Sequence, residues 1–286
     1  MAAATVCVRS ASVRYRSAPS DESWDMTQGI YHVGRPRRPE IRHDNGFLDR
    51  FPRRAPTAAD RRRYAGWRGR LELAESIQGV PGVPKNDLPD ALAAYRHFLT
   101  GRGAARTFSY ERYVANDASG RTTLQWAILE AMGAAYELHL MEVPVDGGRF
   151  NFTGSAIPCG SSSALPYPAT ENWQKAIGAH VIWISGDVVV ARDAPTGTPR
   201  FTLTFVLHAE DRYNFNPGAS DIATGIPDGD NGVFEVTGLA RQYMNNATLT
   251  RRVEWSGAPA TSFDVSMTPW LRQRQPRDNR RVRNWL

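Results

Sequence analysis

Phe201-Thr-Leu-Thr-Phe-Val-Leu-His208 decides how the chain is read. Phe201, Leu203, Phe205 and Leu207 alternate with Thr202, Thr204, Val206 and His208. A period of two puts one set on each face of an extended backbone, so the spacing predicts a strand with one apolar face against a core. Working outward, residues 181–184 and 187–191 are rich in valine and isoleucine, and Ser185-Gly186 stands between them. Ala194-Pro-Thr-Gly-Thr-Pro199 supplies a second break. Short β-branched runs bounded by turn residues predict an antiparallel meander. Residues 251–255 read as a further strand and 235–243 as a helix before it.

Toward the N-terminus the period changes. Residues 57–78 predict a helix, with Thr57 as cap, Asp60 in the first turn, and Gly79 and Pro81 beyond its end. Residues 88–100 predict a second, with Leu92, Tyr95 and Leu99 on one stripe. Residues 107–114 carry aromatics at alternate positions, Phe108 and Tyr110, and read as a strand. Residues 122–140 are apolar nearly all round and predict a buried core helix. The expected class is α+β: a helical N-terminal half followed by a β-rich, mostly antiparallel C-terminal half. Its expected parts are an irregular Arg/Pro-rich segment at 1–56, a helical domain at 57–145, a β-rich domain at 146–270 and a basic tail at 271–286.

At 286 residues, with 41% hydrophobic and 22% charged residues, the composition is that of a globular chain and argues against disordered and collagen-like classes. No apolar run approaches the roughly 18 residues of a bilayer span. Residues 1–20 hold three arginines and no apolar core, so no secretory signal peptide is expected. Two cysteines, Cys7 and Cys159, are too few to staple a fold of this size. The net charge is +6, and Lys85 and Lys175 are the only lysines beside 33 arginines. The arginines crowd into residues 35–70 and the tail. Such ends suit an acidic partner: nucleic acid, an anionic membrane surface or a phosphate-bearing substrate.

The chemistry concentrates just after the deciding strand, in Leu207-His-Ala-Glu-Asp-Arg-Tyr-Asn-Phe-Asn-Pro-Gly218. Asp211 and Tyr213, two apart, share a side where strand is expected to give way to loop. Asp211 is suited to act as a general base or to hold a cation. Tyr213 is suited to steady a phosphate or an oxyanion, and Asn214 and Asn216 to orient it. The same pattern also suits a turn in which Asp and Asn bond their own backbone. Pro227-Asp-Gly-Asp-Asn-Gly232 reads as a turn whose Asp228 and Asp230 add oxygen ligands of the kind that hold Mg²⁺ or Ca²⁺.

Asp211-Arg-Tyr-Asn-Phe-Asn216, together with the strands before it, resembles the C-terminal domain of colicin M and related bacteriocins, whose signature is Asp-x-Tyr-Asp-Phe-Asn. The resemblance spans about 60 residues, 181–243. It implies hydrolysis of a phosphate ester of the lipid-linked peptidoglycan precursor, in the target periplasm, with a divalent cation. A toxin of that kind is expected to have a cognate immunity protein, and with no signal peptide expected, delivery to the periplasm calls for a dedicated secretion machine. Asp211 falls on the first acid, Tyr213 on the tyrosine and Asn216 on the final asparagine. Asn214 stands where the family has an aspartate, and the family's following His-Arg pair is missing from residues 218–225. A histidine from elsewhere, His208 or His180, is then needed. Asp211, Tyr213, Asn214, Asn216 and His208 are the expected catalytic set, and Asp211, Asp228 and Asp230 the expected cation ligands.

Other patterns weigh less. Cys159 with His180 lacks a hydrolase signature around it, and no zinc spacing or phosphate loop is present. Two rival functions stay open: a non-catalytic component of a secretion system or phage tail, and a nucleic-acid-binding protein. The second ranks last for want of a reader motif.

Overall fold

The computed structural model describes residues 8–9, 30–141, 148–160, 163–192 and 195–259. Its strands are β1 (Val8–Arg9), β2 (Ile30–Val33), β3 (Arg106–Thr107), β4 (Arg149–Thr153), β5 (Ile157–Cys159), β6 (His180–Arg192), β7 (Pro199–Tyr213) and β8 (Tyr243–Ser256). They form one sheet in the order β1-β2-β4-β6-β7-β8-β3, with β5 beside the start of β6. Every pair is antiparallel except β3 with β8. The fold is α+β on a mostly antiparallel sheet. The tail at 271–286 lies outside the described residues.

The alternation of 201–208 holds, and the strand runs on through Tyr213, so Asp211 and Tyr213 are ladder residues rather than loop residues. The expected break at Ser185-Gly186 is not a turn, because 181–184 and 187–191 belong to one strand, β6. Gly186 has a different reason to be there: a Cβ on it would lie 2.3 Å from the Phe152 ring and 2.9 Å from Leu203. The strand expected at 251–255 is the C-terminal part of β8.

The helices are α1 (Phe47–Arg50), α2 (Ala58–Ser76), α3 (Pro89–Thr100), α4 (Tyr110–Asn116), α5 (Ala118–Leu140), α6 (Glu171–Ala176) and α7 (Gly229–Thr237). Thr57 and Asp60 cap α2 reciprocally, each side chain taking the other's backbone N–H. The strand expected over 107–114 is confined to Arg106–Thr107. Ser109 then accepts from the Arg112 N–H and starts α4 instead. The helix expected at 235–243 ends at Thr237, because Gly238 turns left-handed (φ +71°) and terminates it. That helix begins at Gly229, so Pro227–Gly232 is largely its first turn.

Two apolar clusters hold the sheet. Ala127, Ile128, Ala131 and Met132 of α5 pack on Phe201, Leu203 and Phe205 of β7, all nearly inaccessible. Each such large side chain gains about 1.5–3 kcal/mol on burial. A second cluster joins Leu71 of α2, Phe98 and Leu99 of α3, Phe234 of α7 and Tyr243 of β8. Tyr213 and Phe215 pack against its edge.

The segment read as irregular is partly regular. β2 pairs with β4, and Tyr31 of β2 hydrogen-bonds Glu130 of α5. Residues 34–45 carry no helix or strand, as the proline and arginine content predicts, yet they have fixed partners. Arg38 Nε and Nη2 donate to the two oxygens of buried Glu210, and His43 Nε2 lies 2.8 Å from Glu210 Oε1. This strap also joins the residues after β7, through the Phe47 N–H to the Phe215 carbonyl at 3.2 Å.

Candidate functional site

β6 pairs with β7 only as far as Glu210. Beyond it, Asp211, Arg212 and Tyr213 pair with β8 alone. Asp211 and Tyr213 continue the core-facing register of Phe201 through Ala209, so polar side chains emerge where the core residues stop. They line a cleft of about 870 Å³ bounded by α2 and α3 on one side and by α6 and the loop 214–228 on the other.

The Asp211 carboxyl and the Tyr213 hydroxyl have no hydrogen-bond partner among the described residues. Burial pushes Asp211 well above the usual carboxylate range, and the negative charge of Asp44 adds to this against the opposing Arg212. Asp211 is therefore protonated over more of the pH range than an exposed acid. Burial, then the Asp211 charge, also raises Tyr213, which keeps its phenolic proton. Tyr167, on the opposite wall, is raised by burial and by the charges of Asp211, Asp221 and Asp228.

Asn214 and Asn216 line the same cleft but are braced. Asn214 Nδ2 donates to Asp44 Oδ1 at 2.7 Å and to the Asp44 carbonyl at 3.1 Å. The Asn216 N–H donates to Asp228 Oδ2 at 2.9 Å, and the Phe215 N–H to Glu235 Oε1 at 3.0 Å. Glu235 is buried on α7, and that burial pushes its pKa up to about 8 despite the bond from Phe215. Part of the motif thus does what a loop-fixing Asx pattern does, while Asp211 and Tyr213 stay available.

The other expected residues are dispersed. His208 is not among the cleft-lining residues: it points to the opposite sheet face, stacks on Trp183 at 3.5 Å and lies 3.0 Å from Ser185 Oγ. Burial lowers its pKa to about 4. His180 does line the cleft. Its Nδ1 is 3.1 Å from the Gly178 carbonyl, its buried Nε2 has no hydrogen-bond partner among the described residues, and burial lowers its pKa to about 4. Cys159 is its register partner on β5, but burial raises the thiol to about 12, which leaves no thiolate for catalysis.

Asp228 lines the cleft and is raised by burial, whereas Asp230 sits in the first turn of α7 away from the lining residues. Among the described residues no three His, Cys, Asp or Glu side chains are grouped to hold a metal ion. Of the expected cation ligands, Asp211 and Asp228 line the cleft together and Asp230 does not.

Sequence reasoning missed four cleft residues. Asp44 arrives on the strap, and the signal for it was Asp44-Asn45-Gly46, a turn sequence inside a stretch dismissed as irregular. Tyr167 lies in a Pro-rich loop with no motif around it. Lys175 lies 3.0 Å from Glu171 and 3.2 Å from Asp221, which ties the 214–228 loop to α6. Burial works to raise Asp221, but the Thr224 hydroxyl and then Lys175 bring it below its ordinary value. Lys85 bonds the same Glu171, so both lysines of the chain stand at one end of the cleft.

No family model matches the chain, and no curated protein matches it. Among solved structures it is similar to PaeM, a colicin M-like bacteriocin produced by Pseudomonas aeruginosa. That match has a TM-score of 0.37 and 19% identity over 64% of this chain and 59% of PaeM. It is similar also to the bacteriocin syringacin M from Pseudomonas syringae pv. tomato, with a TM-score of 0.33 and 14% identity over 58% of this chain and 52% of the other. Both are distant likenesses of fold, and each match spans less than two thirds of the bacteriocin's own length.

Proposed function

We propose that this chain is an antibacterial toxin that hydrolyses a phosphate ester of a lipid-linked peptidoglycan precursor in the periplasm of a target cell. One observation carries the reading: the Asp211 carboxyl and the Tyr213 hydroxyl stand on one strand face, open to a cleft and unspent on the protein's own bonds. A structural turn would have used them. Phosphoryl transfer asks for a proton for the leaving oxygen and donors for the phosphoryl oxygens. Protonated Asp211 supplies the first and the Tyr213 hydroxyl the second. Arg42, Arg70, Lys85 and Lys175 line the same cleft and draw a phosphate into it. Release by a dedicated machine, an anionic membrane as the working surface and an immunity protein in the producing cell belong to the same proposal.

The test is paired expression. Periplasm-directed protein should lyse cells, cytoplasmic protein should not, and Asp211→Asn should abolish lysis while folding normally. Purified protein should release a phosphate-bearing headgroup from the lipid-linked precursor. Harmlessness in both compartments, or full killing by Asp211→Asn, would overturn the proposal. The bracing of Asn214 and Asn216 favours the rival reading of a non-catalytic binding component, and that reading predicts the harmless outcome.

A further inference from the structure

The geometry points to Asp44 as the general base of this site: a carboxylate carried in on the strap and aimed by Asn214. The inference rests on the hydrolytic reading above and adds the group that activates water. Asp44 lines the cleft. Its Oδ1 accepts from the Gly46 N–H at 2.9 Å and from Asn214 Nδ2 at 2.7 Å. Asp44 is exposed, and its Oδ2 has no partner among the described residues and meets solvent. One oxygen is therefore held by the protein while the other is open to water, the arrangement a water-activating base needs.

The two carboxyls differ in their surroundings. Asp44 Oδ1 accepts from two donors, whereas the Asp211 carboxyl accepts from none among the described residues, and its burial disfavours the charged form. The acid role therefore falls to Asp211 and the base role to Asp44.

The step balances. A water oxygen forms a bond to phosphorus while its proton passes to Asp44 Oδ2. The bond from phosphorus to the leaving oxygen breaks, its electron pair stays on that oxygen, and the Asp211 proton goes to it. Solvent then returns a proton to Asp211 and removes one from Asp44. Asn214 is a positioning residue: its amide does not accept the water proton, but it fixes the group that does.

A charge relocation across one hydrogen bond tests this. The substrate is a water-soluble, short-chain analogue of the lipid-linked precursor. Asp44→Asn should lower kcat by about 10²–10⁴-fold with KM changed little. Asn214→Asp should also be impaired, because two carboxylates then meet at 2.7 Å. The double variant Asp44→Asn/Asn214→Asp should regain at least tenfold over either single variant. Wild-type kcat in Asp44→Asn, with Asp211→Asn inactive, would overturn the base while leaving the hydrolase standing. A double variant no better than the singles would overturn the clamp. An inert wild-type protein would overturn the hydrolase and the base together. Circular dichroism and the unfolding midpoint of each variant separate these outcomes from misfolding.

Discussion

Gly46→Ala should release the strap without unfolding the sheet. Gly46 has φ +54° and ψ −118°, a backbone region that residues with a Cβ avoid at a cost of about 1–3 kcal/mol. The added Cβ would lie 2.1 Å from the Phe215 carbonyl oxygen and 3.1 Å from its carbon, both backbone atoms that cannot rotate away. To make room, the Phe47 N–H must leave the Phe215 carbonyl, and Asp44 must leave Asn214. Undocking relieves that strain and the backbone contact, and it loses these two bonds at about 1 kcal/mol each. Arg38 is half exposed, so its pair with Glu210 holds the strap by only about 1 kcal/mol more. A Cβ at 2.1 Å from a backbone oxygen adds to the strain of the docked state, and undocking of residues 43–47 is the expected response. Amide exchange should speed up at Gly46 and Phe47, and hydrolysis should fall with the displacement of Asp44. The β6–β7–β8 amides should keep their protection. Gly79→Ala is the control, since Gly79 is also left-handed (φ +73°) but has open space around its Cβ position. If Gly46→Ala leaves the Phe47 amide as protected as Gly79→Ala does, the clash and the docking of the strap are both refuted.

Three further outcomes follow from burial and charge. Gly186→Ala should cost about 1–3 kcal/mol in urea unfolding, because Phe152 and Leu203 are packed where the methyl would go, and a loss within 0.5 kcal/mol would contradict that packing. His180 is held neutral, its folded pKa near 4 lying below the unfolded value near 6.5. As pH falls below about 6.5 the unfolded chain binds the proton first. Stability should then drop by up to about 3 kcal/mol by pH 4, and His180→Gln should remove that share while His208 keeps its own. Glu210 is lowered below its ordinary value by Arg38 and His43 against the opposing effect of burial. Its contribution is present above the unfolded carboxylate pKa and lost as pH falls through the folded one, so Glu210→Gln should flatten the acid limb of the stability curve and loosen the strap at neutral pH.

What was legible in the sequence was whatever a local period carries. Phe201 to Leu207 and the all-round apolar 122–140 are read correctly because burial on one face, or on all faces, leaves its spacing in the chain. Phe108 and Tyr110 misled for the same reason: two alternate aromatics fit a strand, but Ser109 between them is a helix cap. Gly186 misled because a glycine needed for close approach to Phe152 looks the same as a glycine needed for a turn. Asp211 and Tyr213 at the end of β7, Asn214 and Asn216 just after it and Asp228 before α7 line one cleft, a nearness that short sequence separation already suggests. Asp44 and Lys175 were not legible, because they lie 170 residues from Asn214 and 46 from Asp221, and no local pattern records such distances.

The site follows from a mismatch in strand lengths. β7 runs three residues past its last partner on β6, while β8 follows it to the end. The strap is bonded on both sides of that stretch, to Glu210 before it and to Asn214 and Phe215 after it. This has a chemical consequence. Asp211 and Tyr213 lie where β6 no longer pairs with β7, they line the cleft, and the strap brings its own carboxylate to the same cleft. The function proposed here therefore depends on a segment whose composition predicts no regular structure. A chain begun at residue 52 should retain the β6–β7–β8 ladder and the α5 core, judged by amide protection. It should lose hydrolysis as completely as Asp44→Asn does. Retained activity in that shortened chain would show that the strap plays no part in hydrolysis.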